Sequence, residues 1–229
     1  MIEIGNALNP LLLTLKVALL ATLFSFIAGV ILSRIISQFT FPGKEWLDAV
    51  LTLPLVLPPT VLGYYLIVVL GRKGWLGQFL WESFGISLMF TWQGAVVASA
   101  VVSFPLVFKS AKASFEAVDH NLEKAARTLG SSELGVFLRV SLPLAWHGIL
   151  AGAMLTFARA MGEFGATLMI AGNLPGKTQT LSLAVYNAVQ AGNDNLAATL
   201  VLITSVVCVL VLVSSGKVMK SRYIKEVDR

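Results

Sequence analysis

Five stretches of about 18 to 26 residues run almost without charge, at Leu11–Ile36, Leu47–Leu70, Leu88–Phe108, Trp146–Ala171 and Leu196–Val213. A helix rises about 1.5 Å per residue and the hydrocarbon layer is about 30 Å thick, so each run is long enough to cross a bilayer. Where water cannot reach the backbone, a helix satisfies its own amides and carbonyls. The expectation is an all-α, polytopic membrane bundle, one domain over residues 1–229 with five spans and a long polar loop at about 109–145. Composition agrees: 13% of the residues are charged, where a soluble domain carries about a quarter. The first run is too long for a cleaved leader and no small-residue cleavage site follows it, so it reads as a retained span. The single cysteine, Cys208, excludes a disulfide framework within the chain. His120 and His147 are too isolated for a metal site, and no nucleophile–base arrangement is visible. No metal or cofactor is expected on this chain.

The Lys/Arg distribution orients the spans. The Arg34–Lys44 connection, the Lys109–Arg139 segment and the tail from Lys217 hold 12 of the 17 basic residues. The opposite side holds Arg72, Lys73 and Lys177, while Lys16 and Arg159 fall inside spans. Cytoplasmic loops carry the Lys/Arg excess, so the N-terminus is expected outside and the C-terminus in the cytoplasm. The charges are spread over loops and mixed with Asp and Glu, so they orient the chain and no nucleic-acid partner is expected.

Pro54, Pro58 and Pro59 interrupt the second run. Irregular backbone at membrane depth is tolerated where protein or a water-lined cavity satisfies it, so Pro58 and Pro59 mark either a pathway lining or a packing kink. Between the second and third runs, Trp75, Leu76, Phe79, Leu80 and Phe84 recur at helical spacing, which predicts a short amphipathic helix at the outer interface. In the polar loop, Phe115, Val118, Leu122, Ala125, Ala126 and Leu129 follow one helical face. Gly130 ends that helix, Ser131 or Ser132 is available to cap the next, and Pro143 precedes the fourth span. Such a helix pair suits either docking to a soluble partner or rest on the lipid surface.

At these residues the chain resembles the EAA signature of ABC-importer permease subunits. Lys124-Ala125-Ala126 is followed after three residues by Gly130 and after nine more by Val140-Ser141-Leu142-Pro143. Lys124 stands where the family carries Glu, and Glu123 lies one place earlier. The resemblance implies a type I importer fold with cytoplasmic coupling helices seated on a separate ATPase subunit, carried by Glu123, Lys124, Ala125, Ala126, Gly130, Leu142 and Pro143. Ala125, Ala126 and Gly130 form a small face that would let two helices approach closely. Ala158–Thr167, Gly172–Thr180, Phe41–Lys44 and Leu53–Pro59 are similar to permeases of the molybdate importer, and the match runs from about Leu11 through the fifth span. Sulfate permeases share the architecture, so the resemblance implies an oxyanion, first molybdate, with sulfate or tungstate as the alternatives.

Ala171–Thr178 satisfies the loose phosphate-loop pattern, but that mechanism needs a strand before it and a helix after it. The segment follows a span, contains Pro175 and lies on the outer side, so no nucleotide site is expected there. Arg159 and Glu163 sit four apart in the fourth run with Thr156 on the same face. Charges at that depth are costly and should face the bundle interior. Arg159 reads equally as an anion-attracting pathway residue or as half of a structural pair, and Glu163, which would repel a dianion, leans to the structural role. Gly148 with Gly152, and Gly162 with Ala166, offer small steps for close helix contact.

The resulting expectation is a permease, itself no enzyme. It would pair with a second copy, bind two ABC ATPase subunits through the 109–145 loop, and receive its oxyanion from an extracytoplasmic binding protein docking on Gly71–Phe90 and Asn173–Asn195. An ion-driven secondary transporter, the remoter alternative, should show internal repeats, and none is found.

Overall fold

The computed structural model describes residues 2–39 and 41–227, with side chains for 7–39, 41–211 and 213. The basic residues of the tail, Lys217, Lys220, Arg222, Lys225 and Arg229, therefore have no described side chains. The chain is helical almost throughout, with no strand among the described residues.

Helix α1 (Ile2–Gln38) lies along α5 (Trp92–Glu116), and α8 (Leu142–Met161) packs on both. In lipid there is no hydrophobic drive to bring helices together, so close contact falls to small residues. Ala18, Ala21, Ala95 and Ala160 meet in the core of this trio. A Cβ at Gly29 of α1 would stand 2.8 Å from Val107 of α5. Gly152 of α8 faces α5 in the same way, with Ser110 Cβ 2.5 Å and Val107 Cα 3.2 Å from the position of an added Cβ. The Gly148–Gly152 step is thus spent inside the chain. Because Val107 meets it with backbone, Gly152→Leu should force α8 away from α5, an overpacking cost of about 3 kcal/mol or more. The expected reading is loss of the full-length chain from the membrane fraction; wild-type abundance and melting temperature would refute the contact.

The second apolar run does not form one straight span. It divides into α2 (Lys44–Thr52), a 3-10 turn (Leu53–Leu55) and α3 (Pro59–Leu70), with a bend of 111° between the two arms. Pro59 opens α3 at its first turn, where its missing N–H costs nothing. The bend is fixed by contact with α9 (Gly165–Ala171). A Cβ at Gly63 would fall 2.7 Å from Met169 Cβ, and one at Gly165 would lie 3.0 Å from Pro59 Cβ.

The fourth run also differs from expectation at both ends. Upstream, α7 (Glu133–Val136), a π-helical turn (Phe137–Ser141) and α8 are continuous, so Pro143 lies within a helical run from Glu133 to Met161. Downstream, Gly162, Glu163 and Phe164 break the helix before α9. Gly162 is therefore exposed in the break and forms no packing step with Ala166. Among the described residues four helices are long and apolar enough to cross a membrane, five if the bent pair counts as one span. The amphipathic helix α4 forms as predicted over Trp75–Phe84, and α10 (Leu181–Gln190) and α11 (Asp194–Val227) complete the chain.

Candidate coupling site and membrane-embedded pair

The polar loop is shorter than the sequence suggested, because α5 continues to Glu116 before the chain turns. Asp119 then caps α6 (His120–Thr128), its carboxylate accepting from the Asn121 amide at 2.8 Å. The turn at 117–119 splits the expected helical face: Phe115 and Val118 join the core, while Leu122 and Leu129 stay exposed. Leu129 is 87% exposed and Leu134, across the turn, 66%.

Between them, α6 ends in a Schellman motif. Gly130 takes φ +85°, its N–H donates to Arg127 O at 2.9 Å, and Ser131 N–H donates to Ala126 O at 3.1 Å. Ser132 caps α7 through the Gly135 amide. Arg127 spans the turn with a two-pronged contact to Glu133, Nε to Oε1 at 2.7 Å and Nη2 to Oε2 at 3.2 Å. Nothing lies within 4 Å of a Cβ placed on Gly130. Here glycine is required by backbone angle, while Ala125 and Gly130 are exposed and Ala126 is half-buried.

Beneath this surface Glu123 is 4% exposed. Its Oε1 accepts from Arg34 Nη1 at 2.9 Å and from Ser141 Oγ at 2.5 Å. Arg34, at the end of α1, also lies under the rings of Phe115 (5.6 Å) and Phe137 (5.7 Å). The π-helical turn ends at Ser141, and such turns often mark functional segments. One carboxylate therefore ties α6 to α1 and to the entrance of α8. Lys124, in the family's Glu position, is exposed; the neighbouring Glu123 occupies the buried place. Leu142 is half-buried beside Ser141, and Pro143 is exposed on the first turn of α8. A second anchor ties α2 to the end of α5, where Asp48 meets Lys109 at 2.5 Å and Lys112 at 2.9 Å. Arg34, Ser141 and Asp48 were not among the sequence candidates. The only signal for Arg34 was a cation at the end of an apolar run; Asp48 shares α2 with Glu45 and, like Ser141, carried no distinguishing signal.

At the α8–α9 break, Glu163 is 2% exposed and its Oε1 accepts the Ala166 amide at 2.9 Å, capping the start of α9. Its other oxygen lies 2.8 Å from Arg159 Nη1, an ion contact outside hydrogen-bond alignment. Glu163 is thus spent on holding the break, while the Arg159 side chain remains 34% exposed. Thr156 is wholly buried, its hydroxyl donating to Gly152 O at 2.8 Å. Pro58 is exposed at the 111° bend and Pro59 half-buried against Gly165. In Ala171–Thr178, the amides of Lys177, Thr178 and Gln179 all donate to Leu174 O. They turn inward on one carbonyl and leave no cradle for a phosphate.

The model of the family described as "Binding-protein-dependent transport system inner membrane component" matches residues 21–224. A molybdenum transport system permease protein, ModB, of Escherichia coli strain K12 is 47% identical over 208 residues, covering 90% of this chain and 91% of the relative. A sulfate transport system permease protein, CysT, of Salmonella typhimurium strain LT2 is 36% identical over 210 residues, covering 92% and 75%. Among solved structures, a chain of the inward-facing MetNI methionine ABC transporter superposes with a TM-score of 0.75 at 17% identity, covering 95% of this chain and 96% of that one.

Proposed function

Since the chain belongs to the family of binding-protein-dependent transport system inner membrane components, we propose that it is the permease subunit of an ATP-driven importer carrying molybdate across the cytoplasmic membrane. The greater similarity to a molybdenum permease than to a sulfate permease supports that choice of anion. The observation that carries the coupling role is the pairing of an exposed apolar surface on α6 and α7 with the buried Glu123 beneath it. Leu122, Leu129 and Leu134 offer an ATPase subunit an apolar docking face; Glu123 passes any tilt of that face to α1 and α8.

A pathway that one chain of this size cannot enclose is completed by a second copy, and each copy takes one ATPase subunit. ATP binding draws the two ATPases together, the coupling helices follow, and the spans exchange inward and outward states. Arg34, Lys109, Lys112 and Arg127 gather at the coupling end of the bundle, whereas Arg72, Lys73 and Lys177 lie in loops at the opposite ends of the spans. That asymmetry supports a cytoplasmic coupling end and an external N-terminus. The external segment that holds α10 is the docking face for the binding protein. Arg159, partly open beside the helix break, gives the passing anion a local positive field.

Uptake of labelled molybdate in cells lacking the chain, with and without the chain restored, tests the reading. Restoration should return molybdate uptake that excess sulfate barely competes. Recovery of sulfate uptake alone would replace the substrate.

A further inference from the structure

At the end of the bundle opposite the coupling helices, a cavity of about 780 Å³ opens between the last turns of α3, the Gly71–Gly74 turn and the extended stretch before α5. Its walls have two characters. Ile67, Val68 and Phe90 are apolar, while Arg72, Lys73 and Ser87 supply the polar edge. The Arg72 guanidinium stands 5.0 Å from the Trp81 ring of the amphipathic helix α4. That distance is a cation–π contact, which leaves the guanidinium's N–H groups available to an anion. Among the described residues neither Arg72 nor Lys73 meets a carboxylate, and the acid of α4 nearest in sequence, Glu82, is held by Gln78 at 2.7 Å.

Phe90 adds an independent observation. It has φ +58°, a left-handed backbone that bulky residues seldom adopt. Its amide donates to Ile170 O at 2.9 Å, which holds that conformation. Yet the side chain so placed is 62% exposed at the cavity wall. A constrained aromatic ring left open beside two unpaired cations has the form of a surface that a ligand covers.

We propose that this cavity is a binding site for an anionic phospholipid of the adjoining leaflet, with its phosphate between Arg72 and Lys73 and its first acyl segment along Ile67, Val68 and Phe90. The exposed rings of Trp75 and Trp81 set α4 at headgroup level, where such a phosphate lies. A free oxyanion shares the phosphate chemistry but leaves the apolar walls unused, so the lipid is the better match. The site is independent of which anion the chain transports.

The full-length chain, purified in detergent and stripped of lipid, is titrated with phosphatidylglycerol and read by native mass spectrometry. Parallel arms use phosphatidylcholine and sodium molybdate. Wild type should retain one tightly held phosphatidylglycerol and hold phosphatidylcholine less well. Removing two cations in R72Q/K73Q should weaken retention by about tenfold or more. Val68→Trp, which fills the apolar wall and leaves both charges, should do the same and stands in if the charge variant fails to fold. Equal retention by wild type and the folded variants overturns the site. Displacement of phosphatidylglycerol by molybdate assigns the cavity to a free anion and also overturns it.

Discussion

Glu123→Ala is expected to abolish ATP-driven uptake and to destabilise the chain by about 3 to 5 kcal/mol, the range for removing one partner of a buried ion pair. The loss is large because Arg34 has no water to turn to: its side chain is 11% exposed and lies under two phenylalanine rings. Removing both partners should cost less than the sum of the two single changes, since the double variant leaves no uncompensated charge. A thermal-unfolding cycle of Glu123→Ala, Arg34→Ala and the pair reads this coupling, and strict additivity would refute the tie. Acid gives a second reading of the same group. Burial pushes the Glu123 carboxyl up, but hydrogen bonds from Ser141 and Arg34 and the charges of Arg34 and Arg127 outweigh it and hold the group below the usual glutamate range. A group with its folded pKa depressed contributes stability that is complete above its unfolded value, about 4.3, and is lost as pH falls through the folded value. Melting temperature should therefore fall below about pH 4 in wild type, and Glu123→Gln should flatten that part of the profile.

What the sequence made legible follows from its locality. Apolar length, the Lys/Arg asymmetry, the cap at Ser132 and the glycine stop at Gly130 each depend on a few neighbouring residues. The helix at Trp75–Phe84 was visible for the same reason. The tie between Arg34 and Glu123 joins residues 89 apart and left no local trace. Proline marked the second run as irregular, but the 111° bend depends on Gly63 and Gly165 bringing α3 onto α9. The break after Met161 was hidden because Gly162 and Ala166 look like a packing step in an apolar run. The deciding event is Glu163 turning to cap the Ala166 amide, a tertiary choice that outweighs helical continuity. The sequence offered both Lys124, in the family's Glu position, and Glu123 beside it; the structure separates them, with Lys124 exposed and Glu123 buried on the face that meets α1.

Gly130→Val should leave the chain assembled in the membrane and still lower ATP-driven uptake by about tenfold or more, because the change acts on the angle of a turn and not on a contact. At φ +85° a β-branched residue is strained, with a cost of about 1 to 2 kcal/mol for the left-handed conformation. No atom lies within 4 Å of the new Cβ, so no clash adds to that cost and the helical bundle is not disturbed. The chain can relieve the strain by giving up the Schellman bonds of Gly130 and Ser131, which swings α7 relative to α6. The Arg127–Glu133 brace then fails to close, and Leu129 and Leu134 no longer present one surface. Transport falls because the docking face is misaligned above an intact Glu123. Gly130→Asn separates this account from simple loss of a small residue, since Asn tolerates the left-handed region and should retain most uptake. If Val and Asn transport alike at wild-type rate with unchanged membrane levels, the turn plays no part in coupling. If both fail alike, the small volume of Gly130 matters and its backbone angle does not, and an ATPase surface pressed against that position becomes the reason.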